Sequence, residues 1–413
     1  MEHAFFPVVG SIMNLLMSVG AFLVVLTVVV TIHELGHFLV AKRFGVAIDR
    51  FAIGFGKPIF RRVDRSGVEW RVGWLPLGGY VRFSGDADAS SSVPDAEDLD
   101  DLRRQIVEKQ GVQAVSRYFH FKPIWQRALV VAAGPFANFA LSIFLFAIFA
   151  SAVGISTIAP RVGVVVPNSP AAAAGVQVGD LITSVDDRKI TDFKQMVEYV
   201  HLRAGEPMHL TVLRKGVEQS FDVTPLRVTQ KDELTGRSMQ VGQIGLGQSR
   251  ERSDYVQLRL TPLDSLIWGA DETWDIISTT VTYLGRIVTG KESPAQLSSF
   301  LGMAQTAGAV AKAGANSAPD FLGKAGGVAI NLLSFAALVS TAVGFMNLLP
   351  VPVLDGGHLL FYGYEALARR PVGAKVQAAS YRIGLALLLG LMLFATWNDI
   401  QQRSVFNLLG FTS

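Results

Sequence analysis

The 413-residue chain predicts a polytopic α-helical membrane protein of about four transmembrane helices, with a membrane-associated β-region and an inserted soluble α/β domain. Three observations predict it. Half of the residues are hydrophobic and 17% are charged. Four apolar stretches approach or exceed the roughly 20 residues that a bilayer core requires. Between them, strand-like runs alternate with Gly and Pro turns.

The first apolar stretch, residues 12–40, reads as a retained helix and not a signal peptide. Residues 1–18 carry no Lys or Arg, and the run exceeds an h-region of about 7 to 15 residues. It defines a first unit, 1–45. In the second, 46–85, Ile59 to Val63 and Val68 to Val72 flank Asp64-Arg65-Ser66-Gly67, a hairpin turn, and Leu75 to Val81 continues the β-region. Residues 86–122 are expected to form a flexible cytoplasmic insertion, its part over 86–104 rich in Ser, Asp and Glu and so mobile.

A second span is expected in 123–155, apolar from Ala128. Residues 156–248 hold the soluble domain and an extension, with strand-like runs over 161–224 and one helical period over 192–202. In 249–327, Leu263, Leu266, Trp268, Trp274, Ile277, Val281 and Leu284 recur at helical spacing, an amphipathic helix at a membrane surface. The third span falls in 328–358. The fourth falls in 359–413, apolar over 383–397 with a lead-in near Val376. Lys42, Arg43, Arg50, Arg61, Arg62, Lys122 and Arg127 flank the first two spans on one side, and Arg369, Arg370, Lys375 and Arg382 lie between the last two. The positive-inside rule makes both segments cytoplasmic and sends 156–327 to the other side.

A formal charge of +3 without a basic, aromatic-interleaved stripe argues against nucleic acid as a partner. The absence of cysteine excludes a thiolate nucleophile, a Cys-held zinc and any disulfide, so a metal site must use His and carboxylates.

His33-Glu34-Leu35-Gly36-His37 is such a beginning. On a helix, His at i and i+4 share one face and hold one zinc between them, and Glu34 is placed to take a proton from water. Three ionisable side chains in an apolar helix cost several kcal/mol unless they pair or bind metal. Hydrolytic zinc usually takes three protein ligands. Asp355 is the best third, following Asn347-Leu348-Leu349-Pro350-Val351-Pro352-Val353-Leu354 and preceding Gly356-Gly357. His358 competes with it, and is read as a neighbour of the site because a carboxylate completes a two-His hydrolytic centre.

The HELGH of the first span and the NLLPVPVLDGGH of the third resemble the site-2 protease family of intramembrane zinc metalloproteases, in its bacterial regulator-of-sigma-E protease branch. FAIGFGKP at 51–58, PLGGYV at 76–81 and FKPIWQRALVVAAGPFANF at 121–139 extend the likeness. The resemblance implies zinc on His33, His37 and Asp355, with Glu34 as catalytic base and acid. It also implies a PDZ domain of the circularly permuted bacterial kind, carried by the SPA, AG and GD signatures around Ser169, Gly175 and Asp180. One such domain is legible here where many relatives of that branch have two.

A protease working inside a bilayer must unwind its substrate helix before a carbonyl is accessible. By the resemblance, Gly78, Gly79 and Tyr80 of a re-entrant PLGGYV segment offer a strand edge to the unwound substrate. Asn347 either hydrogen-bonds that substrate or its developing oxyanion, or makes an interhelical contact; Asn138 has the same alternatives and is the weaker candidate. The implied partners are the lipid bilayer and single-span membrane proteins, such as an anti-sigma factor or a leftover signal peptide, and the implied location is a bacterial inner membrane with the PDZ domain in the periplasm.

Two other classes compete. A catalytically silent membrane scaffold would use its PDZ domain to hold partners, and the intact H-E-x-x-H with its Asp argues against it. A metal transporter would be expected to show inverted repeats, and none is seen.

Overall fold

The structure, a computed structural model, describes residues 2–85, 96–231, 238–294 and 297–402. The chain opens with the long helix α1 (Glu2–Arg43), strands β1 (Ile48–Val63) and β2 (Glu69–Phe83), and helices α2 (Ala96–Gln110) and α3 (Ile124–Val153). There follow β3 (Ile155–Ile158), β4 (Val162–Val165), α4 (Pro170–Ala174), β5 (Leu181–Val185), β6 (Arg188–Lys189), α5 (Phe193–His201), β7 (Met208–Arg214) and β8 (Val217–Val223). The rest comprises β9 (Leu226–Lys231), β10 (Ser238–Gln243), β11 (Leu246–Gln248), β12 (Tyr255–Leu258) and helices α6 (Pro262–Val288), α7 (Phe300–Ala315), α8 (Phe321–Asn347), α9 (Asp355–Ala368) and α10 (Ala374–Gln402).

Four helices are long and apolar enough to cross a membrane: Leu15–Arg43, Ile124–Val153, Phe321–Asn347 and Ala374–Gln401. Their boundaries differ instructively from expectation at the third. Asp320 caps α8, its carboxylate accepting from Gly323 N–H, so the helix begins earlier than residue 328. It stops at Asn347, because Pro350 and Pro352 follow and a proline cannot continue the ladder. The LDGGH run is therefore not the tail of the third span. It opens a separate helix, α9, which ends at Arg369 in the left-handed conformation.

The chain divides into two compact units. The first comprises residues 1–146, 269–278 and 298–413. In it Phe22, Val25 and Val29 of α1 pack with Ala304 and Ala307 of α7 and with Phe335, Ala336 and Val339 of α8. The helix α7 was not anticipated, since it meets its neighbours through Gly302, Ala304, Ala307, Ala311 and Gly314, residues too small to give a hydrophobic periodicity. A second cluster joins Phe38 and Ala41 of α1 to Phe51, Val81 and Phe83 of the β-region and Val130 of α3. Of the expected mobile insertion, residues 86–95 lie outside the described residues, and 96–110 form helix α2, whose Ile106 is buried.

The hairpin turn falls where the sequence puts it: Asp64 Oδ1 accepts from the N–H groups of Ser66 and Val68, and Gly67 has φ 88°. The register is more elaborate than a hairpin. Residues 50–53 of β1 pair with 69–72 of β2 on one side and with 79–82 on the other, while 60–63 pair with 69–72 from beyond. Four segments result, with 79–83 at an edge. Gly78, at φ 83°, makes the bend that returns β2 to β1. Near that bend Thr27 Oγ1 donates to Pro76 O at 3.0 Å, so β2 runs beside the middle of α1.

The second unit comprises residues 147–268 and 279–297. Its antiparallel sheet has the order β6-β5-β7-β8, and Ile182, Val185, Leu210 and Val212 pack against Phe193, Met196 and Val200 of α5. The small-residue signatures have local causes. Ser169 caps the short α4, Gly175 ends it at φ 92°, and buried Asp180 receives two 2.7 Å hydrogen bonds from Arg214. Burial alone would raise the Asp180 carboxyl, but Arg214 and the Gln177 N–H outweigh it and hold it below its ordinary 3.8.

Candidate metal centre and active site

His33 and His37 lie one turn apart on α1, deep in the first unit, where Gly36 and Gly134 let α3 approach closely. A Cβ at Gly134 would collide with His37 Nε2, and one at Gly36 with the Ala133 carbonyl. Pro135, inside α3, leaves the helix without one N–H in this same turn. Nearby, the Val130 carbonyl accepts from His37 Nδ1 at 2.8 Å. Since a carbonyl can only accept, His37 carries a proton on Nδ1, which leaves Nε2 as the nitrogen available to a metal.

The third group arrives from far along the chain. Asp355 heads α9, whose first turn nests against the preceding loop so tightly that a Cβ on Gly356 would strike the carbonyls of Leu348 and Leu349, and one on Gly357 that of Val351. This explains the two glycines after the aspartate. Asp355 Oδ2 lies 3.1 Å from His33 Nε2 and 3.5 Å from His37 Nε2, and the two Nε2 atoms are 3.1 Å apart.

Those sides suit one small ion. Zinc at about 2.0–2.1 Å from each of three tetrahedral donors separates the donors by about 3.3–3.4 Å. Asp355 Oδ2 is also buried with no hydrogen bond of its own, an expensive state for a carboxylate oxygen that a cation would relieve. The donor set, two imidazoles and a carboxylate, matches hydrolytic zinc sites. His33, His37 and Asp355 are the metal-competent group found among the described residues, and His358 is not in it. His358 instead lies on the wall of the same cavity, 3.4 Å from the Tyr381 hydroxyl.

That cavity, of about 690 Å³, is lined by the triad, Glu34, Gly79, Tyr80, Val81, Asn347 and residues of α9 and α10. Glu34 Oε2 accepts from the Val81 N–H at 3.1 Å, so the sheet edge faces the glutamate directly. Of the residues expected to meet substrate, Asn347, Gly79 and Tyr80 border the cavity. Gly78 does not line it and serves the bend. Tyr80 is braced by Arg50, whose Nη1 donates to its hydroxyl at 3.3 Å, and by Phe55 stacked at 6.0 Å. Sequence reasoning missed Tyr362, Tyr381 and Arg382 on the wall, since nothing local distinguishes them from helix-end residues.

The sequence profile of peptidase family M50 matches residues 21–391. The chain belongs to this family. Over 96% of its length and 98% of the relative's, it is 46% identical to Metalloprotease MmpA of Caulobacter vibrioides. It is 39% identical to a protein of Rhizobium meliloti named as a zinc metalloprotease, over 94% of this chain and 97% of the other. It is also 29% identical to the regulator of sigma-E protease RseP of Salmonella typhimurium, over 94% of this chain and all of that one. As an M50 peptidase with four apolar helices, it is a multi-pass membrane metalloprotease.

Proposed function

We propose that this M50 peptidase is an intramembrane zinc endopeptidase that hydrolyses peptide bonds within the transmembrane segments of single-span membrane proteins. The observation that carries this reading is the 3.1, 3.1 and 3.5 Å triangle of His33, His37 and Asp355, with Glu34 beside it on the same helix turn. His33, His37 and Asp355 would hold the ion, which when bound supplies Lewis acidity for hydrolysis at neutral pH.

The chain's own residues then do the rest. Glu34, held by the Val81 N–H, takes a proton from the attacking water and returns it to the leaving amine. The edge at 79–83 offers backbone groups to an extended substrate, which keeps the unwound segment satisfied where lipid cannot. Asn347 reaches the same cavity and is suited to hold the substrate strand or the developing oxyanion.

Exposed Phe55, Ile59, Phe60, Trp74 and Leu77, together with the Thr27–Pro76 bond, support a β-region that re-enters the lipid beside the first span. The Lys and Arg flanking the spans support a cytoplasmic side for 46–122 and for 369–375 in an inner membrane. The second unit then lies in the periplasm, where the signatures around Ser169, Gly175 and Asp180 support a PDZ domain that selects substrates. By analogy with the sigma-E-regulating relative, substrates would be anti-sigma factors already trimmed outside, or signal-peptide remnants.

The test is reconstitution of the purified protein with a model single-span substrate, alongside Glu34→Gln and a chelator-treated sample. Cleavage that stops in both supports the reading. Cleavage that survives both would overturn it, and zinc uptake without any cleavage would favour a scaffold.

A further inference from the structure

His37 has an evident device that fixes its proton, the Val130 carbonyl at Nδ1. His33 has a different neighbour. Its Nδ1 lies 3.2 Å from the side-chain amide of Asn138, a residue of α3 that is wholly buried. The amide's other atom, Oδ1, is buried without a hydrogen-bond partner.

An imidazole that offers Nε2 to a cation must carry its proton on Nδ1 and so needs an acceptor there. A half-turn of the Asn138 amide exchanges its two ends in the same space and aims Oδ1, an acceptor, at His33 Nδ1. The same turn relieves the orphaned oxygen.

The residue is also held in place. The Asn138 backbone carbonyl accepts from Ser340 Oγ of α8 at 2.8 Å, and Gly344 leaves room for the Asn138 side chain, since a Cβ there would lie 3.1 Å from Asn138 Cβ. Thus α3 supplies the Nδ1 partner of both histidines, a main-chain carbonyl for one and a side-chain amide for the other.

We infer that Asn138 is a positioning residue of the metal centre, accepting the Nδ1 proton of His33 so that Nε2 is free to bind the ion. It acts through His33 and touches neither substrate nor metal. The inference rests on the proposed zinc centre and moves Asn138 out of the roles of oxyanion donor or plain interhelical contact. It further explains why an amide suits the position: the carbonyl end satisfies the metal-binding tautomer, and the amino end satisfies the other.

The test compares full-length wild type with Asn138→Leu, Asn138→Asp and His33→Ala in detergent, reading zinc affinity by competition with a chromophoric chelator and the unfolding midpoint of the metal-free forms. Leu keeps the branched four-atom outline and removes the acceptor, so zinc binding should weaken by about 10- to 100-fold, the usual cost of losing a ligand's outer partner. Asp keeps an acceptor and should bind zinc within about threefold of wild type or more tightly, as carboxylate–histidine–zinc arrangements do.

Equal zinc affinity in wild type and Asn138→Leu would overturn the inference, and so would equal weakening in the Leu and Asp variants. If the Leu variant does not fold, the Asp variant alone decides, with tenfold or greater weakening counting against the inference. Wild type that binds no zinc, or no more than His33→Ala, would instead overturn the metal centre itself.

Discussion

Glu34 shares its helix turn with both histidines yet contributes no atom to the triangle they form with Asp355. In the proposed mechanism that separation divides holding the ion from proton transfer, and it makes two variants diagnostic. Glu34→Gln should keep stoichiometric zinc while turnover falls by about 10²- to 10⁴-fold, the usual reach of general acid–base catalysis. Single-turnover cleavage and metal content on one sample check this. Asp355→Ala should instead lose zinc and activity together, because the remaining two imidazoles leave the coordination incomplete. The candidate group is legible for a physical reason: two imidazoles and a carboxylate sit within five residues of one helix, where spacing implies proximity. The pairing of Asn138 with His33 is opaque by the same reasoning, since the two are 105 positions apart and only packing unites them.

At the scale of elements, the helix crossing of α1 on α3 is set by glycine. Gly134→Ala adds a Cβ that collides with His37 Nε2 and approaches His33 closely, so it should lower zinc occupancy while leaving the helical content unchanged. Metal analysis beside circular dichroism distinguishes this from unfolding. The apolar spans and the Asp64–Gly67 turn can be read in advance, because each announces itself locally through length or turn chemistry. The helices α7 and α9 cannot. The first packs through alanine and glycine, and the second hides behind a two-proline turn that continues the third apolar run. The double pairing of residues 50–53 is likewise invisible, since it depends on a bend at Gly78 that alternation does not encode.

At the scale of the whole molecule, the second unit carries its own acid sensitivity. Asp180 is held below its ordinary 3.8 when folded, so its contribution to stability is complete above that value and is lost as pH falls through the lower folded one. Asp186 and Glu206 are held down similarly. For Asp186 the opposing force is burial, outweighed first by the Tyr199 hydroxyl. For Glu206 the first cause is Lys291. The unfolding midpoint of this unit should stay level from pH 7 to about 5 and drop below about 4, and Asp180→Asn should lower it at pH 7 while shallowing the acid loss. Thermal scans across pH check both. Removal of residues 161–224 should loosen the choice among substrates without abolishing zinc uptake, measured by cleavage of a panel of single-span proteins; unchanged preference would count against a selecting domain.

The order in which the donors are synthesised has its own outcome. His33 and His37 leave the ribosome early, whereas Asp355 follows only after three long apolar helices, the β-region and the whole second unit have been made. A chain interrupted anywhere before α9 therefore lacks the proposed ligand set, and abandoned translation products should be inert fragments, unable to attack the membrane proteins being inserted around them.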